Sequence, residues 1–139
     1  MSSDNLKLNW EDKYSVGVTI IDDQHKLLFK TINELIDLLH TNPTEVEIQK
    51  ILGDIIEYKK KHFATEEGYF KEFNYVEADK HIAEHNMFTA KVEEIENKHK
   101  GDTLNLAYEL IDYLEDWLIG HLMISDQKYV GCFKSNGLK

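Results

Sequence analysis

Apolar residues recur along this chain at intervals of three and four, and four stretches of that pattern are separated by short polar breaks. The first predicts a helix over 22–39. Its stripe is His25, Leu28, Ile32, Leu35, Ile36 and Leu39, and Asp22 or Asp23 can cap the free first-turn amides. The loop His40-Thr-Asn-Pro43 ends it, and Thr44 with Glu47 three residues later has the form of a capping box that opens a second helix over 45–73. There Ile48, Ile51, Leu52, Ile55, Tyr58, His62, Glu66, Tyr69 and Phe73 share one face, so two ionisable residues sit where the pattern demands core. A third helix, 77–98, aligns Ala78, His81, His85, Phe88, Val92 and Ile95 and stops near Gly101. The fourth, 103–125, has Asp102 as its cap and turns Ala107, Leu110, Ile111, Leu114, Trp117, Leu118 and His121 inward, with the pattern breaking near Gly131. Four amphipathic helices of similar length with short connections predict an all-α fold, an up-down-up-down four-helix bundle behind an irregular N-terminal arm, 1–21.

The length of 139 residues suits one domain, 1–139, able to close a single core unaided. A hydrophobic share of 42% beside 30% charged residues describes a globular chain rather than a disordered one. The net charge of -10 repels phosphate backbones and anionic lipid, so nucleic acid and membrane are not expected partners. The first ten residues hold no apolar signal core, and no apolar run approaches the roughly 20 residues of a bilayer span. A cytoplasmic, disulfide-free protein is expected, with the single cysteine, Cys132, serving as a small apolar residue.

What composition leaves unexplained is a polar layer. His25, His62, His81, His85 and His121, with Glu66, put at least one imidazole on the inner face of every predicted helix. One such histidine is ordinary core; five together would each cost on the order of a few kcal/mol to desolvate unpaired. Spacing sharpens the point, because residues four apart on a helix converge on one place, and both His62/Glu66 and His81/His85 have that spacing. Asp126 lies five after His121, partly off its face, and can join only if the helix end loosens or widens.

Imidazoles with two carboxylates and no thiolate suit iron, zinc or copper better than magnesium or calcium. Seven ligands exceed what one zinc takes, and so imply two metals of higher coordination number. Two bridging carboxylates, five imidazoles and a shared oxygen atom fill all but one position of two octahedral ions. A single vacancy on one metal is what a reversible ligand binder requires.

With these residues in view, the chain resembles the bacterial hemerythrins over nearly its whole length. The resemblance is carried by Ser15-Val-Gly-Val-Thr-Ile-Ile-Asp-Asp-Gln-His25, His62-Phe-Ala-Thr-Glu66, His81-Ile-Ala-Glu-His85, and Trp117-Leu-Ile-Gly-His121 through Asp126-Gln-Lys-Tyr129. It implies reversible O2 binding at a non-heme centre of two Fe ions with an oxo or hydroxo bridge. His81, His85 and His121 would bind one iron and His25 and His62 the other, with Glu66 and Asp126 bridging them. The vacancy would lie on the second iron. Phe63, Trp117, Leu118 and Ile119 are candidates for a dry pocket wall. His40 and His99 are expected to be solvated, and Glu67, Glu84 and the run Glu93-Glu-Ile-Glu96 to be outer-face charge.

Rival readings come from other classes. His81-Ile-Ala-Glu-His85 also spells the H-x-x-E-H motif of some zinc proteases, with Glu84 as base, but that leaves five candidate ligands unused. A di-iron oxidase or peroxidase would use a more carboxylate-rich site with Glu-x-x-His pairs. A sensor of O2 or nitric oxide, or an iron store, could use the same cluster, although the sequence holds no evident output domain. A monomer without enzymatic activity is expected, with dioxygen as ligand and an oxygen-consuming enzyme as a conceivable partner.

Overall fold

The computed structural model describes residues 7–139, so the first six residues of the expected arm lie outside it. Four long helices form an up-down-up-down bundle: α1 (Thr19–Leu39), α2 (Glu45–Glu72), α3 (Ala78–Lys98) and α4 (Thr103–Gly120). α4 runs on through a π-helical turn (His121–Ser125) into two short helices, α5 (Asp126–Lys128) and α6 (Val130–Ser135). Among the described residues no helix is long and apolar enough to cross a membrane.

Local chemistry explains most boundaries. Thr44 and Glu47 form the capping box: the Glu47 amide donates to Thr44 Oγ1 at 3.2 Å and the Thr44 amide donates to Glu47 Oε1 at 3.1 Å. Asn42, at φ 55°, turns the chain between α1 and α2, a conformation that asparagine tolerates better than most residues. Gly101, at φ 83°, ends the α3–α4 loop just before Asp102, whose side chain caps α4 by accepting from the Asn105 amide.

Two boundaries differ from expectation. α1 begins at Thr19, and neither Asp22 nor Asp23 caps it. Asp22 instead lies in the first turn and reaches back to the arm, where its carboxylate accepts from Ser15 Oγ at 2.6 Å and from the Val16 amide at 2.9 Å. At the other end Gly131 does not stop the chain, because α6 buries Phe133 completely. A short helix with few apolar positions gives too little periodicity to be read from sequence. The arm is also less irregular than expected, with a 3₁₀ turn at Asp12–Tyr14 and a clip in which Leu8 and Asn33 exchange two hydrogen bonds of 2.7 and 2.8 Å.

Two apolar clusters result. The larger fills the bundle with residues such as Ile32, Leu35, Ile55, Val92, Ile95 and Leu110. The smaller, Val16, Val18, Ile21, Phe70, Tyr129 and Phe133, lies where the arm, the end of α2 and α6 meet. The polar layer separates them: along α1 and α3 the small-cluster residues precede the histidines, and along α2 and α4 they follow. Thr44→Ala removes the cap of α2 and is expected to cost about 1 kcal/mol. The midpoint of a urea transition, read with unchanged slope, measures it.

Candidate metal centre

All seven candidate residues are buried, Glu66 and Asp126 completely. Each helix places its share by the spacing noted above, with one exception that the backbone resolves. In a regular helix Asp126 would point about 140° away from His121. The π turn widens the ladder by one residue, so that the Asp126 amide donates to the His121 carbonyl and the carboxylate swings back toward the axis. The loosening that the five-residue spacing required is present.

The five Nε2 atoms converge on two carboxylates. His62 Nε2 lies 3.3 Å and His85 Nε2 3.2 Å from Glu66 Oε1, and His81 and His121 lie 3.2 and 2.9 Å from Asp126 Oδ1. His25 Nε2 is 3.3 Å from Asp126 Oδ2 and 2.8 Å from His62 Nε2. Two groups of donors emerge, each with its atoms within 4.8 Å of one another: Glu66, His81, His85 and His121 in one, His25, His62, Glu66 and Asp126 in the other. Glu66 belongs to both.

The outward-facing nitrogens fix the tautomers. His62 Nδ1 donates to Gln24 Oε1 at 2.8 Å, and Gln24 in turn donates to Thr65 Oγ1. His85 Nδ1 donates to Glu67 Oε2 at 2.8 Å, and His121 Nδ1 lies 3.2 Å from Glu84 Oε2. A ring that carries its proton on Nδ1 presents a bare lone pair at Nε2, the arrangement of metal-binding histidine. Glu67 and Glu84 are therefore not the outer-face charges that their positions suggested. Both are about one-third exposed and reach sideways across a helix interface to a ring on another helix, a contact that periodicity along one helix does not encode. Gln24, also not singled out, adjoins His25 in sequence but serves His62. Of the remaining histidines, His40 is exposed as expected, whereas His99 is half-buried with Nε2 3.2 Å from Glu109 Oε1.

The donor set fits metal on an observation of its own. Both oxygens of Glu66, both of Asp126, and Nε2 of His81, His85 and His121 are buried without a hydrogen bond of acceptable geometry. Orphaned polar atoms on this scale are rare in a folded protein and here all face one space. The His25–His62 separation also suits two imidazoles on one ion, since ligands at about 2.1 Å and right angles lie roughly 3 Å apart.

Without metal, protons must balance the carboxylates. Burial pushes the Glu66 carboxyl up, but His62, His81 and His85 outweigh it and hold it well below the usual range. Asp126 is likewise held low by His121 and His25 against burial and the Glu66 charge. Burial would lower His81, yet Asp126 and Glu66 raise it to about 9. Glu66 likewise raises His62 against burial, while burial and the neighbouring His62 lower His25.

The two ends of the centre differ. A narrow, mostly apolar cavity of about 10 Å³, room for about one water-sized molecule, reaches His25, His62 and His121 between Leu28, Ile55, Phe88, Leu114 and the stem of Lys59. Phe63, Trp117 and Leu118 line it as expected; Ile119 does not, and packs on the main core instead. Phe63 stacks on the His85 ring at 3.7 Å and Trp117 on the His121 ring at 4.2 Å. On the opposite side His81 lies beneath a polar opening lined by Tyr75, Glu77, Lys80, Glu84 and Lys128.

The sequence profile of the Hemerythrin HHE cation binding domain matches residues 16–133, which includes every residue of this centre. The chain belongs to the hemerythrin family. It is similar to a bacteriohemerythrin of Clostridium acetobutylicum, 30% identical over 87% of this chain and 97% of that protein. It is also similar to one of Methylococcus capsulatus, 28% identical over 88% and 93% of the respective chains. The crystal structure of a wild-type hemerythrin superposes with a TM-score of 0.78 at 28% identity, covering 90% of this chain and 96% of the other. As a hemerythrin, the chain binds dioxygen reversibly at a non-heme di-iron centre and is an oxygen binder rather than an enzyme.

A pH dependence follows for the metal-free hemerythrin. His81 has a folded pKa of about 9 against 6.5 for an ordinary imidazole, so its contribution to stability is complete below about 6.5 and is lost as pH rises through 9. Denaturation midpoints of the metal-free protein are expected to fall across that window. A flat profile would contradict the protonated-imidazole balance.

Proposed function

We propose that His81, His85 and His121 bind one iron, that His25 and His62 bind the other, and that Glu66 and Asp126 bridge the two. The observation that carries this reading is the pair of donor groups sharing Glu66, with the carboxylate oxygens of Glu66 and Asp126 and Nε2 of His81, His85 and His121 buried without a partner. When bound, the irons supply the electrons for reversible O2 binding. The protein's part is to hold the His62, His85 and His121 rings by their Nδ1 atoms, to leave the two-histidine end under-coordinated, and to keep that end dry. The mostly apolar cavity, which reaches both His25 and His62 as well as His121, supports the vacancy on the two-histidine iron, because such a wall admits a diatomic gas and disfavours water.

In this reading 1–139 is a single hemerythrin-like domain that stores oxygen or delivers it to an oxygen-consuming enzyme, working as a cytoplasmic monomer. The lone thiol, Cys132, fits a reducing compartment. The oxidase and peroxidase alternative is less well supported, since five imidazoles to two carboxylates give ferric iron less anionic stabilisation than an oxygen-cleaving site needs.

Anaerobic iron loading followed by cycles of oxygenation and deoxygenation tests the function. Two irons per chain and a visible band that appears with O2 and disappears without it are expected. Stable ferric protein with peroxide consumed would favour an enzyme instead. His62→Ala is expected to abolish reversible oxygenation while circular dichroism retains the helices, because the apolar clusters remain; a variant that still binds O2 fully would remove His62 from the ligand set. Glu67→Gln weakens the hold on the His85 ring and is expected to lower iron affinity by about 10–100-fold in a chelator competition.

A further inference from the structure

Lys59 is a charge in a place where the fold has no use for one. It is 5% exposed and lines the same narrow cavity as His25 and His62, among Leu28, Ile55, Leu114 and Leu118. It stands on α2 one turn before His62, about 4.5 Å of helix rise away. Its Nζ donates to Thr89 Oγ1 at 3.1 Å and lies 5.5 Å from the centroid of the Phe63 ring and 5.3 Å from that of Phe88. Lysine commonly lays its stem along apolar surface and sends its head to water. Here the head stays under a hydroxyl and two aromatic faces, which suit a cation but do not neutralise it.

No carboxylate pairs with Lys59 among the described residues; Glu93 and Glu96 act on it only through space. A buried ammonium without an anionic partner costs stability, and the natural partner for it is a ligand that carries the missing charge. It borders the cavity that reaches His25, His62 and His121.

We propose that Lys59 is a specificity-determining residue of the ligand pocket, its ammonium favouring small ligands that carry negative charge over neutral molecules of the same size. This rests on the reading that His25 and His62 hold the iron at the end of the cavity. Phe63 and Phe88, which line the cavity with it, face the ammonium, and Thr89 accepts its hydrogen bond. The low dielectric of the apolar wall strengthens the field of the charge at the ligand position.

Azide, a small linear anion, is the probe. Lys59→Met keeps the length of the stem and removes the charge, and Lys59→Arg keeps the charge. In the diferric protein the Kd for azide is expected to rise about tenfold in Lys59→Met and to return to within about twofold of wild type in Lys59→Arg. Iron per chain and melting temperature, measured alongside, show whether each variant is loaded and folded. The wild-type chain labelled with 15N at lysine gives a reading that needs no variant to fold: azide is expected to shift the side-chain resonance of the buried ammonium. An azide Kd unchanged in Lys59→Met, or a resonance unmoved by saturating azide, overturns the proposal. A wild-type chain that takes up no iron overturns the ligand reading beneath it and the proposal with it, whereas a loaded chain whose azide affinity ignores Lys59 overturns the proposal alone.

Discussion

Glu66 and Asp126 sit where water does not reach them, and their charges must be answered by something other than solvent. Five imidazoles supply the answer, from α1, α2, α3 and the π turn that follows α4, at one level of the core. They can do so as protonated rings or as neutral donors around cations, and the second option satisfies every Nε2 and carboxylate oxygen at once. The carbonyl and carboxylate acceptors behind the rings favour it, since His62 and His85 commit their protons outward to Gln24 and Glu67. In the proposed ligand set, iron uptake replaces protons with metal at the same positions.

The layer also explains why the molecule has two apolar clusters rather than one. A single continuous core would have to pass through the charges. Instead the main cluster closes the long end of the bundle, and the arm and α6 fold over the short end to cover the layer there, leaving the polar opening above His81. Tyr129 belongs to that second lid, completely buried, with burial and the charges of Asp126 and Glu66 keeping its phenol protonated.

How much of this the sequence announced depends on whether the information ran along a helix or across helices. The stripes of His25, His62/Glu66 and His81/His85 are properties of one helix each, and so is the Thr44/Glu47 box; all were readable. Asp126 was readable only as a difficulty, because five-residue spacing is wrong for an α-helix and the family resemblance alone argued for it. Glu67, Glu84 and Gln24 were not readable, since each serves a ring on a different helix and sits among solvent-facing polar residues in its own. Lys59 was missed for a similar reason: the main-chain pattern of α2 marks it as one of three consecutive lysines, and only the packing of α2 against α3 shows that it points inward. Asp22 misled for the opposite reason, being in the right place for a helix cap but used to tie down the arm.

The π turn at His121–Ser125 divides the last helix into two rotational frames. Leu110, Leu114 and Leu118 are set by the frame before it, and Asp126, Tyr129 and Phe133 by the frame after it. A single deletion there would close the π turn into regular α-helix and keep the tail in register, whereas a further insertion would leave α4 seated but turn the whole tail by about 100°, taking the Asp126 carboxylate and the cover of the smaller cluster away together. The fold thus ties the presence of one carboxylate to the closure of an entire end of the molecule, and a lineage drifting in length at this point could not lose the one and keep the other.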